Sequence, residues 1–267
     1  MNLTYHKLIP TDAEIEKVIQ DPGLIGLSEN NFLNMNADQR RLKIIGEYYY
    51  TIWKQLGYQA GEMLMMAHWG GEIKPNWFDH RMHLLQPANY VDYWTISSDL
   101  VLRSLPLNGR LLSLCSGDGF YESMFYSKRA GQIIAVDCNT QAITNAKTLY
   151  NLPNITWAER DILVGNFPSD YFDVVCIRGA IEHFSMENQL KIFELAKSAL
   201  KPGGFFVGDT PANSGEKMHT DHENEWKDEA EMRELLSKVF SKIETFTFVS
   251  KDRTTLLWKC EKHGRTQ

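Results

Sequence analysis

The hydrophobic pattern of this chain divides it near residue 105. From residue 106 on, short apolar runs alternate with stretches of helical spacing. Leu111, Leu112 and Leu114 form a run suited to a buried strand, and Ser116, Gly117, Asp118 and Gly119 break it. A helix is expected next, near Glu122–Ala130. Gln132–Asn139 and Ile155–Asp161 are two further apolar runs, carrying Asp137 and Asp161 at their ends. Helices are expected near Thr140–Leu149, Ser185–Leu200 and Asp228–Phe240, and Lys201-Pro202-Gly203-Gly204 stops the second of these. Lys242–Ser250 and Thr254–Cys260 read as two strands around a turn at Lys251–Arg253. Strands alternating with helices predict an α/β fold, with a mostly parallel sheet covered on both faces.

The N-terminal region, residues 1–105, reads as helical. Thr11–Gln20 predicts a short helix, ended by Pro22 and Gly23. Asn36 is placed to cap a helix over Ala37–Gln55, where Ile44, Ile45, Tyr48, Tyr49 and Ile52 make an apolar stripe at helical spacing. Gly57–Leu85 is rich in Met, His and Trp, including His68, Trp69, Trp77, His80 and His83, and a helix follows at about Thr95–Ser104. Such a stretch ahead of the α/β core is read as a lid over a pocket, because pockets are largely apolar with few polar groups, with a helical layer packed on the sheet as the alternative.

A strand, a glycine turn and a helix in succession place free backbone N–H groups beside a nucleotide-like ligand. Glycine in the turn lets the main chain approach that ligand closely. Asp137 lies about twenty residues beyond the turn, where a nucleotide-binding βαβ unit uses a carboxylate for ribose hydroxyls. Asp137 ends its strand, and Asn139 can cap the helix that follows.

With these residues in order, the stretch resembles the core of the class I S-adenosylmethionine-dependent methyltransferases. The resemblance runs from about Asn108 to Lys262. It includes Tyr171–Phe184 as the fourth strand with its following turn, and Leu200–Asp209 as the entry to the fifth. It implies a Rossmann-like, doubly wound, mostly parallel seven-stranded sheet with a C-terminal antiparallel hairpin, spanning residues 106–267. It implies S-adenosyl-L-methionine as cofactor. The cofactor-binding residues would be Ser116, Gly117, Asp118, Gly119 and Phe120 at the turn, Asp137 and Cys138 after the second strand, Asp161 and Ile162 after the third, and Arg178 after the fourth. Two positions depart from the pattern. Ser113 stands where many relatives have an acid, and Cys115 where they have glycine.

Residues that follow strands four and five face such a site. Glu182-His183 resembles a pair common in small-molecule methyltransferases, and His183 is the first candidate for a general base because imidazole titrates near neutrality. His219 and His222 are in reserve. His219, Asp221, His222, Glu223 and Glu225 are also residue types that bind divalent metals, but their spacing is not a sharp metal motif, and no metal is assigned. The Asn/Asp-Pro-Pro-aromatic turn of many nucleic-acid and amide N-methyltransferases is replaced by Arg178-Gly179-Ala180-Ile181. The stretch Thr210–Trp226 is similar to methyltransferases of bacterial sugar and cell-surface glycan pathways. The expected reaction is therefore methylation of a small molecule, on an oxygen of a sugar or related metabolite. Two alternatives share these features: a nicotinamide-dependent oxidoreductase, and a non-catalytic partner subunit with the same fold.

Charge and cysteine use narrow the setting. A net charge of −6 over 267 residues argues against a general nucleic-acid binder. Residues 1–10 lack the apolar core of a signal peptide, and no run is long enough to cross a bilayer. Cys115, Cys138, Cys176 and Cys260 sit on or beside expected strands and read as small buried core residues, which suits a reducing cytoplasmic compartment.

Overall fold

The computed structural model of the protein describes residues 11–20, 35–46, 93–213, 215, 221–249 and 253–264. The expected lid residues from Gly57 to Leu85, His219, and the turn at residues 250–252 lie outside these. The chain forms two compact units, Met1–Pro87 and Ala88–Gln267. In the first unit, α1 (Asp12–Gln20) and α2 (residues 37–46) are described. Ile15 of α1 and Ile44 of α2 are buried in one cluster, with Ile19 and Ile45 packed against it. Asn36 caps α2 as expected, in a reciprocal pair: its Oδ1 accepts from the Gln39 N–H at 2.9 Å, and its own N–H donates to Gln39 Oε1 at 3.0 Å.

The second unit opens with α3 (Tyr93–Ser104) and then β1 (Gly109–Leu114). The compact unit thus begins ahead of the boundary drawn at residue 105, because α3 lies on the sheet: Ser97 is buried and its hydroxyl donates to Asp209. After β1 come α4 (Phe120–Met124), a 3-10 turn at Tyr126–Lys128, β2 (Ala130–Asp137), α5 (Thr140–Leu149) and β3 (Ile155–Glu159). Then follow β4 (Phe172–Arg178), a 3-10 turn at Ile181–His183, α6 (Met186–Ala199), β5 (Leu200–Pro211), α7 (Glu229–Ser237), β6 (Lys242–Val249) and β7 (Thr254–Glu261).

The seven strands form one sheet in the order β3-β2-β1-β4-β5-β7-β6. The first five are parallel, and β7 runs antiparallel to both β5 and β6. Both faces are covered, which explains why β1 reads as a nearly continuous apolar run. Leu112 and Leu114 enter one core cluster with Val175, Ile177 and Phe206, whereas Leu111 enters the other with Val174, Cys176 and Val207. The chain reverses its direction of winding between β1 and β4, so a crevice opens there beyond the carboxyl ends of the strands.

Two local expectations are corrected. The helix after the glycine turn is a single turn followed by a 3-10 turn, because Ala130 is already in β2. The chain leaves α6 directly into extended backbone at Leu200, which pairs with Phe172; Gly203, at φ +80°, lies in the register shift of β5 and is not a helix cap. Cys176 and Cys260 are buried as expected. Cys115 is only half-buried and Cys138 is exposed, because both lie just past the last residue of their strands.

Candidate active site

The glycine turn is held from both sides. The Ser116 N–H donates to Val136 O at 2.9 Å, and the Gly119 N–H closes the turn on Ser116 O at 3.1 Å. Gly117 and Gly119 take φ of +56° and +71°. Cys115 takes φ of +54°, the left-handed region, so the backbone keeps a glycine-like conformation although the residue is not glycine. A Cβ on Gly119 would lie 2.2 Å from the Trp157 indole, so any side chain there would displace that ring.

Asp137 ties the turn to the second strand. Its Oδ2 accepts from the Gly117 N–H at 2.8 Å, and its Oδ1 from the Asn139 N–H at 2.9 Å. Burial raises its pKa, and the N–H groups of Asn139, Gly117 and Cys138 oppose that shift. Asn139 caps α5 through the Ala142 N–H at 3.0 Å, so both roles expected at this strand end coexist. The tip of β3 lies next to it: the Arg160 N–H donates to Asp137 O at 2.9 Å, and exposed Asp161 caps its own turn through the Leu163 N–H at 2.8 Å. Gly117, Asp137 and Asp161 thus stand on three adjacent strand tips. Of the other expected contacts, Phe120, Asp118 and Ile162 are buried, Ile162 in the larger core cluster, and the exposed Cys138 stands beside Asp137.

Arg178 is placed differently from expectation. Its guanidinium is buried in the sheet–α3 layer, and each of its three nitrogens donates a hydrogen bond. Nε donates to Ser97 Oγ, Nη1 to the Tyr126 hydroxyl and Nη2 to Trp94 O, each at 2.9 Å. It stacks 4.2 Å from the Tyr121 ring centre, and its Nε lies 3.7 Å from Asp209 Oδ1. Arg178 and Asp209 are partners in the β4–β5 register. Burial pushes the Asp209 carboxyl upward, and Arg178 is the main opposing influence. The side chain therefore belongs to a structural ion pair.

Ser113 is explained by the fold as well. It stands where many relatives have an acid, and its hydroxyl donates to Glu122 Oε1 at 2.6 Å. Glu122 is buried, which raises its pKa; the Ser113 hydrogen bond is the first influence against that rise. A carboxylate is thus present beside the first strand, supplied by α4.

The turns after β4 and β5 are stitched together. Glu182 O accepts from the N–H groups of Glu223 and Asn224 at 2.9 and 3.1 Å. Gln189, fully buried on α6, donates from Nε2 to Ile181 O, Phe184 O and Asn224 O, and its Oε1 accepts from Trp226 Nε1 at 2.9 Å. This clasp brings Glu182, His183 and His222 into one group. Thr210 Oγ1 donates to Glu182 Oε2 at 3.0 Å. His183 Nδ1 is 2.8 Å from Asp221 O, His222 Nδ1 is bonded to Glu225 Oε1, and the two imidazoles meet edge to face at 4.8 Å. Burial pushes the Glu182 carboxyl well above its ordinary pKa. A separate cleft of about 490 Å³ beside Asn108, Arg110 and Gln132 opens at the opposite edge of the sheet, where the strands start.

Residues 111–204 match the family described as methyltransferase domain. The chain accordingly matches a methyltransferase domain over part of its length, and its seven-stranded sheet is the fold shared by the class I S-adenosylmethionine-dependent methyltransferases. It is 31% identical over 117 residues to the phosphoethanolamine N-methyltransferase of Plasmodium falciparum, covering 41% of this chain and 40% of that protein. The chain thus spans about two fifths of the length of this curated relative. Two solved structures share the fold. The Haemonchus contortus phosphoethanolamine N-methyltransferase 2, in complex with phosphomonomethylethanolamine and S-adenosylhomocysteine, superposes with a TM-score of 0.54 at 16% identity, over 67% of this chain and 55% of that one. The N-methyltransferase NodS of Bradyrhizobium japonicum, in complex with S-adenosylhomocysteine, superposes with a TM-score of 0.51 at 19% identity, over 63% and 84%.

S-adenosylmethionine is the cofactor of this class, and the residues present fit it. Ser116 Oγ is buried and has no hydrogen-bond partner among the described residues, so a polar ligand at the turn would complete it. Asp137 holds its carboxylate at the tip of β2, where ribose hydroxyls are expected. Among the described residues no helix is long and apolar enough to cross a membrane.

Proposed function

We propose that the chain transfers a methyl group from S-adenosylmethionine to a small polar molecule. The single observation that carries this is the junction of Gly117 and Asp137: a carboxylate from the second strand clamps the glycine turn of the first. The sulfonium supplies a methyl group already activated for displacement. What remains to the protein is alignment of the acceptor with that methyl, and removal of the acceptor's proton.

Ser116 Oγ at the turn holds the cofactor, and Asp137 holds its ribose. Glu182 and His183 follow β4, on the other side of the crevice, and are the groups that activate the acceptor. Donation from His183 Nδ1 to Asp221 O leaves the lone pair of the ring on Nε2. This pairing of imidazole and carboxylate suits a hydroxyl acceptor, and O-methylation of a sugar or related metabolite is the first reading. N-methylation of a small amine is the second; it is favoured by the 31% identity to a phosphoethanolamine N-methyltransferase. Neither a large basic surface nor a nucleic-acid partner is part of this reading.

The test is a transfer assay with labelled S-adenosylmethionine, offering hydroxylated sugars in one arm and phosphoethanolamine in the other. Label on a sugar oxygen supports the first reading and label on nitrogen the second. A folded chain that labels no acceptor, while still binding S-adenosylhomocysteine, would indicate the non-catalytic subunit.

A further inference from the structure

Glu182, His183 and His222 have an arrangement that acid–base chemistry alone does not require. One ligand atom from each lies within 4.8 Å of the others. They come from different segments, the 3-10 turn after β4 and the loop after β5, and the Gln189 clasp and the two N–H bonds to Glu182 O fix those segments to each other. Each imidazole is oriented through Nδ1, His183 by a backbone carbonyl and His222 by a carboxylate. A metal-binding histidine has this support, which directs the lone pair of Nε2 to the ion. Glu182 is oriented in the same way, by Thr210 on one oxygen. Two of the three supports, from Asp221 and Glu225, lie on the same loop as His222, so the loop carries one ligand and orients two.

We propose that Glu182, His183 and His222 bind one divalent first-row transition cation, such as Zn²⁺ or Mn²⁺, and that this cation holds the acceptor oxygen. Two imidazoles and one carboxylate suit those ions better than Mg²⁺, which prefers oxygen ligands throughout. Three protein ligands leave positions open for an acceptor. The reaction balances simply. The bound hydroxyl loses its proton to solvent, its oxygen forms a bond to the methyl carbon, and the carbon–sulfur bond breaks with its electron pair remaining on sulfur. S-adenosylhomocysteine leaves as the neutral thioether. In this scheme His183 is a ligand and the cation takes over activation of the acceptor. Metal binding stands on the geometry of the three side chains; the role at the acceptor rests on the methyl-transfer reading.

The experiment is titration of the full metal-stripped chain with Co²⁺, read by visible absorption, followed by displacement with Zn²⁺ and Mn²⁺. One ion per chain is expected. His183→Ala and His222→Ala should each abolish the band, and Glu225→Gln, which removes only an orienting group, should weaken Zn²⁺ binding about 10- to 100-fold. His263→Ala, at an exposed histidine near the C-terminus, should change nothing. Binding of S-adenosylhomocysteine by each variant shows that it is folded. A wild-type chain that binds none of these ions, or binds them equally well without His183 and His222, overturns the site. If the ion binds but its removal leaves methyl transfer unchanged, the acceptor role is overturned. If the ion binds and S-adenosylhomocysteine does not, the methyl-transfer reading fails and the metal site stands.

Discussion

Arg178→Met is expected to destabilise the second unit by about 3–5 kcal/mol, the range for removing one partner of a buried ion pair. The substitution keeps the bulk of the side chain and much of its contact with Tyr121. It removes the donors to Ser97, Tyr126 and Trp94 O, and among the described residues it leaves the Asp209 carboxylate in the core with Ser97 and Arg253 as its remaining hydrogen-bonding and cationic partners. Asp209 has no solvent exposure, so water does not replace the lost charge. Chemical denaturation of wild type and variant measures the difference. The double variant Arg178→Met with Asp209→Leu should recover most of it, because no lone charge remains buried. A single variant within about 1 kcal/mol of wild type, the scale of an exposed pair, would show that this arginine does not hold the sheet to α3.

His183→Ala is expected to lower turnover by about 10²–10⁴-fold, the usual contribution of a positioned proton-transfer group, while affinity for S-adenosylhomocysteine changes little. The ring lies on the β4 turn, and no hydrogen bond joins it to Ser116, Gly117 or Asp137, the residues assigned to the cofactor. Whether its Nε2 takes the acceptor's proton or holds a cation, alanine removes the function. The two roles separate by rescue: added Zn²⁺ or Mn²⁺ stimulates a metal-dependent wild type and does nothing for an enzyme with a free base. Normal turnover in the variant would remove His183 from the reaction.

Much of the architecture was written in local pattern. Leu111–Leu114 is apolar on both faces because β1 is central and covered twice, and the glycines and Asn139 announce a turn and a cap whose chemistry is local. The strand-end acids were legible for the same reason: spacing along one βαβ unit fixes where Asp137 falls. What stayed hidden depends on sheet order and register. Arg178 reads as a site residue because it ends a strand in the right place; only its pairing with Asp209 on the neighbouring strand, and the position of α3 above both, shows that its charge is already matched. Ser113 reads as a missing acid, because nothing in the sequence says that α4 returns Glu122 to it. Gln189 sits inside an ordinary amphipathic helix and gives no signal, yet it joins the turns that carry Glu182 and His222. The loop histidines and acids were visible as a cluster in sequence, but the approach of His222 to Glu182 and His183 was not.

Calorimetric titration of the purified chain with S-adenosylhomocysteine, with NAD as the parallel ligand, tests the central claim most directly. The account predicts one S-adenosylhomocysteine bound per chain, no binding of NAD, and an affinity that falls by about 1–3 kcal/mol in Asp137→Ala, where buried ribose hydroxyls lose their acceptor. A folded wild-type chain that ignores S-adenosylhomocysteine, or an Asp137→Ala variant that binds it as well as wild type does, would contradict it.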